Sequence, residues 1–141
     1  MLSYMTTQNW PETAERALWE RIDTQEWDDL PDLLDPDLRV EYVHTGELFG
    51  RDAFVGVNRD YPGRWRGYVD AVVASGERVV ARVRVSDGAA TFHVASFGTV
   101  RHGRIVELVE VWADEAAPPA ERRAAGGDLT RPHRGATESH G

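Results

Sequence analysis

Residues 90–114, ATFHVASFGTVRHGRIVELVEVWAD, decide the fold. Two runs rich in β-branched and aromatic residues flank His102-Gly103, a pair suited to a two-residue hairpin turn. Pairing Arg101 with Arg104 and counting back sets Phe97 opposite Leu108, Ala95 opposite Glu110 and His93 opposite Trp112. Residues so paired share one face of a sheet. That face mixes aromatic and aliphatic surface with an imidazole and a carboxylate. An apolar wall carrying acid–base groups is what a small-molecule site requires.

Working outward, Asp87-Gly88 predicts a second hairpin turn. Before it, Val79, Ala81, Val83 and Val85 alternate with Val80, Arg82 and Arg84, so one face is apolar and the other carries Arg. A simple two-residue turn at Asp87-Gly88 puts Arg82 opposite His93 and turns His93 toward the Arg face. A bulge or a three-residue turn there returns it to the apolar face. Residues 65–74 and 77–86 read as two further strands separated by Ser75-Gly76. LRVEYVH, residues 38–44, reads as a first strand, with Val40, Tyr42 and His44 on one face and Arg39, Glu41 and Val43 on the other. Gly46 and Gly50 mark a loop. RDAFVGVNRDY, residues 51–61, predicts a short helix with Phe54, Val57 and Tyr61 on one stripe and Pro62-Gly63 as its stop.

At the N-terminal end, Pro11 suits the first turn of a helix. Ala14, Leu18 and Ile22 recur at helical spacing, and Trp19, Asp23 and Trp27 form a neighbouring stripe. Asp23 is then either a surface carboxylate near the helix end or a partly desolvated group on a pocket wall. DDLPDLL, residues 28–34, predicts a second short helix capped by Asp28 or Asp29, with Asp35-Pro36 ending it. Residues 1–10 read as a flexible leader. Residues 116–141, rich in Ala, Gly, Pro and charge, read as a disordered tail that holds His133 and His140.

Composition narrows the function classes. The 141 residues suffice for one domain with a real core. A net charge of −8 disfavours nucleic acid, which needs a basic stripe. No apolar run approaches the length of a membrane span, and the first residues lack a signal peptide's pattern, so a cytoplasmic location is expected. There is no Cys, hence no thiolate nucleophile, and all 16 basic residues are Arg, hence no side-chain amine for Schiff-base chemistry. No metal-ligand spacing and no phosphate-cradling Gly loop occurs in the part expected to fold. No metal or cofactor is expected.

The order helix, short helix, strand, short helix and four long antiparallel strands, together with HVASFGTVRHGRIVELVEVW, resembles the SnoaL-like branch of the nuclear transport factor 2-like superfamily. The resemblance covers about residues 12–114, and Gly103-Arg104-Ile105 followed by Glu110-Val111-Trp112 is its most specific piece. It implies an α+β cone in which N-terminal helices pack in a curved antiparallel sheet, with a pocket at the wide end, over a domain spanning 11–115. It also implies polyketide cyclase, isomerase or dehydratase activity without a cofactor, a small apolar or polyketide-like ligand, antibiotic or other secondary metabolism, and a homodimer. Leu108, Glu110 and Trp112 match last-strand positions that point into the pocket. Tyr42 stands where isomerases keep their base. Asp23 matches the helix-end Asp of some dehydratase relatives, whose partner His has no counterpart near Trp65. Asp114 is the acid nearest the cyclases' last-strand Asp, at a different spacing from Trp112.

The expected catalytic groups are therefore His93 and Glu110, with Asp23 as an alternative base. For His93 and Glu110 the competing readings are a structural histidine and a solvated outer-face carboxylate. Trp19, Tyr42, His44, Phe54, Tyr61, Phe97, Leu108 and Trp112 are the expected substrate contacts. A non-catalytic ligand-binding or interaction module of the same fold is the alternative. Apolar side chains on both faces of residues 105–112 predict a partner on the outer face.

Overall fold

The computed structural model describes residues 2–125, with side chains described from residue 10. Helix α1 (Leu2–Thr24) leads, followed by a single 3-10 turn (Leu30–Leu33). Strands β1 (Leu34–Tyr42) and β2 (Glu47–Phe49), helix α2 (Arg51–Asp60), strands β3 (Arg66–Ser75), β4 (Arg78–Ser86), β5 (Thr91–Arg101) and β6 (Arg104–Asp114), and a short helix α3 (Ala120–Ala124) complete it. The strands form one open sheet in the order β2-β1-β6-β5-β4-β3. Neighbours are antiparallel except β1 and β6, which run parallel. The sheet curves around α1, the 3-10 turn and α2, the α+β cone that the resemblance implies.

The apolar stripe of α1 explains how it docks. Ala14, Leu18, Trp19 and Ile22 are buried, and they meet the inward row Val79, Ala81, Val83 and Val85 of β4. Leu30, Leu34, Phe54, Ile105 and Leu108 fill the centre. Burying side chains of this kind contributes about 1.5–3 kcal/mol each, before ordering entropy is set against it. Among the described residues no helix is long and apolar enough to cross a membrane.

Several boundaries differ from the sequence reading. α1 reaches back past Pro11 to Leu2, into the stretch expected as a leader. Proline removes one N–H donor there, but its fixed φ is already helical. β2 was expected as loop. It pairs with β1 through Val40↔Phe49 and Tyr42↔Glu47, a short edge strand with too little patterning to see in sequence. α3 lies in the stretch expected as tail; the remainder of that stretch, with His133 and His140, falls outside the described residues.

The largest correction is one of register. His102 and Gly103 both take positive φ, 53° and 78°, as the tight turn demands, and Arg101 does pair with Arg104. Val100 pairs with Ile105, but Thr99 then pairs with Glu107, so Val106 is an extra residue bulged out of β6. Beyond it every pairing moves by one: Ser96↔Glu110, Val94↔Trp112, Phe97↔Val109 and His93↔Ala113. Leu108, Glu110 and Trp112 face inward with Gly98, Ser96 and Val94, while His93 and Phe97 face outward with Val109 and Val111. The bulge also lets Ile105 and Leu108, three positions apart, both lie fully buried on the inner face.

The β4–β5 connection does not rescue His93. Ser86 pairs with Thr91 across a four-residue loop and Arg84 pairs with His93. A loop two residues longer than the simplest turn leaves the parity unchanged. A second bulge, at Asp70 of β3, falls between the pairs Val69↔Val83 and Ala71↔Arg82.

Candidate functional site

At the wide end of the cone the inner sheet face and the helices enclose a cavity of about 420 Å3. Aromatic rings from every side line it. α1 gives Trp19 and Ile22, the segment after it Gln25 and Trp27, β1 gives Tyr42, and β5 and β6 give Phe92 and Trp112. α2 adds Val57, Asn58 and Arg59, and Tyr61, Gly63 and Trp65 come from the connection to β3. His44, Glu47 and Asp114 supply further polar groups. The volume suits a small ring-bearing molecule.

The rings form a connected set. Trp112 lies 6.3 Å from Trp19, 6.1 Å from Tyr42 and 5.9 Å from Phe92, between ring centroids. Tyr42 meets Phe49 edge-on at 4.9 Å and stacks on His44 at 5.8 Å. Tyr61 and Trp65 pack edge-on at 5.7 Å, and Trp65 reaches Phe92 at 5.3 Å. Trp65 Nε1 donates to the Pro62 carbonyl at 2.8 Å, which fixes the Tyr61–Trp65 connection over the opening. Gly63 permits it: φ is +107°, and a Cβ there would stand 2.8 Å from Trp65 Nε1.

Among the ionisable groups on the wall, Tyr42, His44 and Asp114 bear on proton transfer. Tyr42 is pushed well above the usual phenol range, first by burial and then by the Glu110 charge, with Asn58 pulling the other way. It stays a hydrogen-bond donor at any ordinary pH. His44 accepts the backbone N–H of Trp112 on Nδ1 at 3.4 Å, so the neutral ring carries its proton on Nε2. Asp114 follows Trp112 by two positions and shares its inward face, opposite Phe92.

Behind the indoles lie two acids that do not line the cavity. Glu110 and Glu15 are both 0% exposed. Trp112 Nε1 donates to Glu110 Oε1 at 3.0 Å, and Trp19 Nε1 donates to Glu15 Oε1 at 3.1 Å. Ser96 Oγ donates to Glu110 Oε2 at 3.4 Å, leaving Glu15 Oε2 without a partner at hydrogen-bond distance. Burial is the main force pushing Glu110 up to about 8; the Glu15 charge adds to it, and the Trp112 and Ser96 hydrogen bonds oppose it. Glu15 is raised too, again chiefly by burial. Glu110 is therefore held mostly as the neutral acid at pH 7.

Of the expected site residues, Trp19, Tyr42, His44, Tyr61 and Trp112 come together around the cavity. Phe54 and Leu108 are buried in the core instead. Phe97 faces outward and is 39% exposed, on the far side of the sheet. His93 also faces outward, where Nε2 meets Glu115 Oε1 at 2.9 Å. Asp23 is engaged at the end of α1: Arg66 Nε and Nη2 donate to it at 2.7 and 3.2 Å, and the Gly67 N–H donates at 3.0 Å. Burial pushes that carboxyl up, but the Arg66 and Gly67 hydrogen bonds and the Arg66 and Arg64 charges outweigh it and hold it low. A staple of α1 to β3 is thereby formed, rather than a pocket base. Sequence reasoning passed over Glu15 and Ser96. The legible signal was Glu15 and Trp19 at i and i+4, which share a helix face. The cavity roles of Trp27, Asn58, Trp65 and Phe92 depend on loop paths and on the bulge. Among the described residues no group of His and acids could hold a metal.

Comparison with known proteins follows the same line. No curated protein matches the chain. Similar solved structures include a candidate ketosteroid isomerase from Kribbella flavida, with TM-score 0.77 and 22% identity over 87% of this chain and 92% of that one. IdmH, a candidate polyketide cyclase from Streptomyces antibioticus, gives TM-score 0.65 and 20% identity over 72% of this chain and 91% of that one. An epoxide hydrolase of M. tuberculosis gives 0.64 and 20% over 74% and 84%. At these identities the likeness is one of fold. The family model for the SnoaL-like domain matches residues 16–108, from the buried face of α1 to the inward row of β6, and the chain belongs to that family, within the nuclear transport factor 2-like superfamily.

Proposed function

We propose that the protein is a cofactor-independent enzyme that moves a proton on a small, largely apolar, ring-bearing ketone or polyketide-like molecule in secondary metabolism. The observation that carries this reading is the aromatic cavity with Tyr42, His44 and Asp114 on its wall. Asp114 takes a proton from a carbon beside the carbonyl. Tyr42 and the Nε2–H of His44 donate to the oxygen on which charge develops, which stabilises the enolate. Asp114 then returns the proton: to the far carbon of a conjugated dienolate where the ketone carries a neighbouring double bond, or, where the enolate carbon adds to a second carbonyl of the same molecule, to the alkoxide that this addition leaves. Isomerase and polyketide cyclase candidates among the similar structures support this class of reaction.

The test uses 2-tetralone, a bicyclic ketone, incubated in D2O and followed by mass spectrometry. Enzyme-dependent deuterium uptake beside the carbonyl is expected, and Asp114→Asn lowers its rate about 100-fold. Uptake that Asp114→Asn leaves unchanged sinks the assignment. Binding without exchange favours the second reading, a ligand-binding module without catalysis. One observation speaks for that reading: both buried acids are sealed from the cavity and Asp23 is tied up by Arg66.

We also propose a homodimer through the outer sheet face. Val73, Val80, Phe97 and Val111 lie exposed there in adjacent rows of β3, β4, β5 and β6. Exposed apolar rows of this kind on one sheet face ask for a cover.

A further inference from the structure

Glu15, Ser96 and Glu110 occupy the inner face of the sheet and of α1, directly behind the cavity, yet the proposed chemistry leaves them unused. Two fully buried acids are a heavy burden for a small core. Each accepts from an indole N–H whose ring forms cavity wall. Those two rings stand 6.3 Å apart and tilted by 52°, so together they form an angled inner wall rather than a flat one. An indole pinned by its single N–H has lost the rotation that would let it lie elsewhere. Gly98 makes the arrangement possible, because a Cβ there would stand 3.2 Å from Glu15 Oε2 and 3.0 Å from Val79 Cγ1.

We propose that Glu15, Ser96 and Glu110 are positioning residues that pin Trp19 and Trp112 at a fixed tilt and so set which ring shapes the cavity admits. The inference rests on the reading of the cavity as a ligand site and concerns its selectivity: how far it distinguishes a flat fused ring from a globular one of equal size. The titratable groups facing Glu110 are Glu15 from α1 and Tyr42 from β1, and β5 presents Ser96. Loss of the Glu110 proton alters the acceptor of the Trp112 N–H, so the wall reports on its own anchor.

The experiment reads the indole N–H resonances of 15N-labelled protein, assigned with Trp19→Phe and Trp112→Phe, and the binding of two ten-carbon ketones, flat 2-tetralone and globular 2-adamantanone. In the unmutated protein the Trp112 indole resonance moves with a midpoint near 8. Glu110→Gln keeps an acceptor oxygen: the resonance stays near its low-pH position without titrating, and the ratio of the two affinities stays within about threefold of the parent's. Glu110→Leu keeps bulk but no acceptor: the Trp112 resonance shifts or broadens, and the ratio of the two affinities changes about tenfold or more. A Trp112 resonance unmoved in Glu110→Leu, or an unchanged preference, overturns the proposal. If Glu110→Leu does not fold, a Trp112 indole N–H that exchanges with solvent in the unmutated protein as fast as an exposed indole overturns it as well, because a pinned N–H is protected. Should the unmutated protein take up neither ketone, the ligand-site reading falls and the selectivity with it, while the resonances still decide whether the acids pin the rings.

Discussion

Replacing Glu110 by Gln removes an ionisable group without changing its size, and its effect on stability should depend on pH in a way the structure sets. The ordinary carboxyl value is 4.5 and the folded one about 8, so between these limits the folded state holds a proton that the unfolded chain has released. Stability then falls as pH rises, by about 1.4 kcal/mol per pH unit per proton. The loss begins above 4.5 and is complete once pH passes about 8, where the folded protein also ionises. Between pH 6 and pH 8 the unmutated protein should lose about 2 kcal/mol relative to Glu110→Gln, which has nothing to titrate there. Glu15 shifts in the same direction and steepens the fall in both proteins, so only the difference between them isolates Glu110. Urea unfolding at half-unit steps from pH 5 to 9, followed by far-ultraviolet circular dichroism, measures it. The two midpoints should separate by roughly 1 M across that window, taking a typical urea dependence. Parallel curves, or a variant that loses stability with pH as fast as the parent, would refute a buried acid with a raised pKa.

Three other substitutions test the structure. Phe97→Glu puts a charge in the middle of the exposed outer rows; light scattering at micromolar concentration should show a dimer for the parent and a monomer for the variant, and a monomeric parent ends the dimer proposal. Asp23→Asn should cost about 1–2 kcal/mol at neutral pH by removing the anion that Arg66 and the Gly67 N–H share, and that cost should vanish at low pH, because a carboxyl held low gives its stability only above its ordinary range. Deuterium exchange by Asp23→Asn should stay within about threefold of the parent, since Asp23 does not line the cavity; a loss near 100-fold would make it the base. Gly98→Ala should cost about 1–3 kcal/mol in chemical unfolding, because its new methyl group meets Val79 and Glu15 Oε2; a neutral result would mean that the core beneath the indoles is loosely packed.

Periodicity made the fold legible. The stripe Ala14, Leu18 and Ile22 and the row Val79, Ala81, Val83 and Val85 are strong patterns, and both are buried as read. Turn chemistry at His102-Gly103 fixed one hairpin tip correctly. What a sequence pattern does not carry is a bulge, because one extra residue reverses the facing of everything beyond it while leaving composition untouched. Glu110 and Trp112 were read as inward through the resemblance of β6. His93 and Phe97 were read as inward through a pairing count that ignored Val106. Asp23 shows the other limit: its anchoring partners Arg66 and Gly67 lie 43 and 44 residues away, and no local signal joins them. Glu15 was hidden for the opposite reason, since a helical glutamate is ordinarily a surface residue.

Val106 works like a frameshift within a strand. Deleting that one residue would close the bulge: Glu107 opposite Thr99 would follow Ile105 opposite Val100 directly, and Glu110 and Trp112 would keep their inward places, whereas deleting Val109, beyond the bulge, would turn both of them out to solvent. A single-codon loss at Val109 should therefore be far more damaging than the same loss at Val106 or in the 87–90 loop, where a changed length can be absorbed. It also means that relatives with and without the extra residue can be aligned letter for letter along this strand and still disagree about every side chain's address. Transfer of roles between them has to be phased on the inward row, starting from Leu108, and not on the hairpin tip.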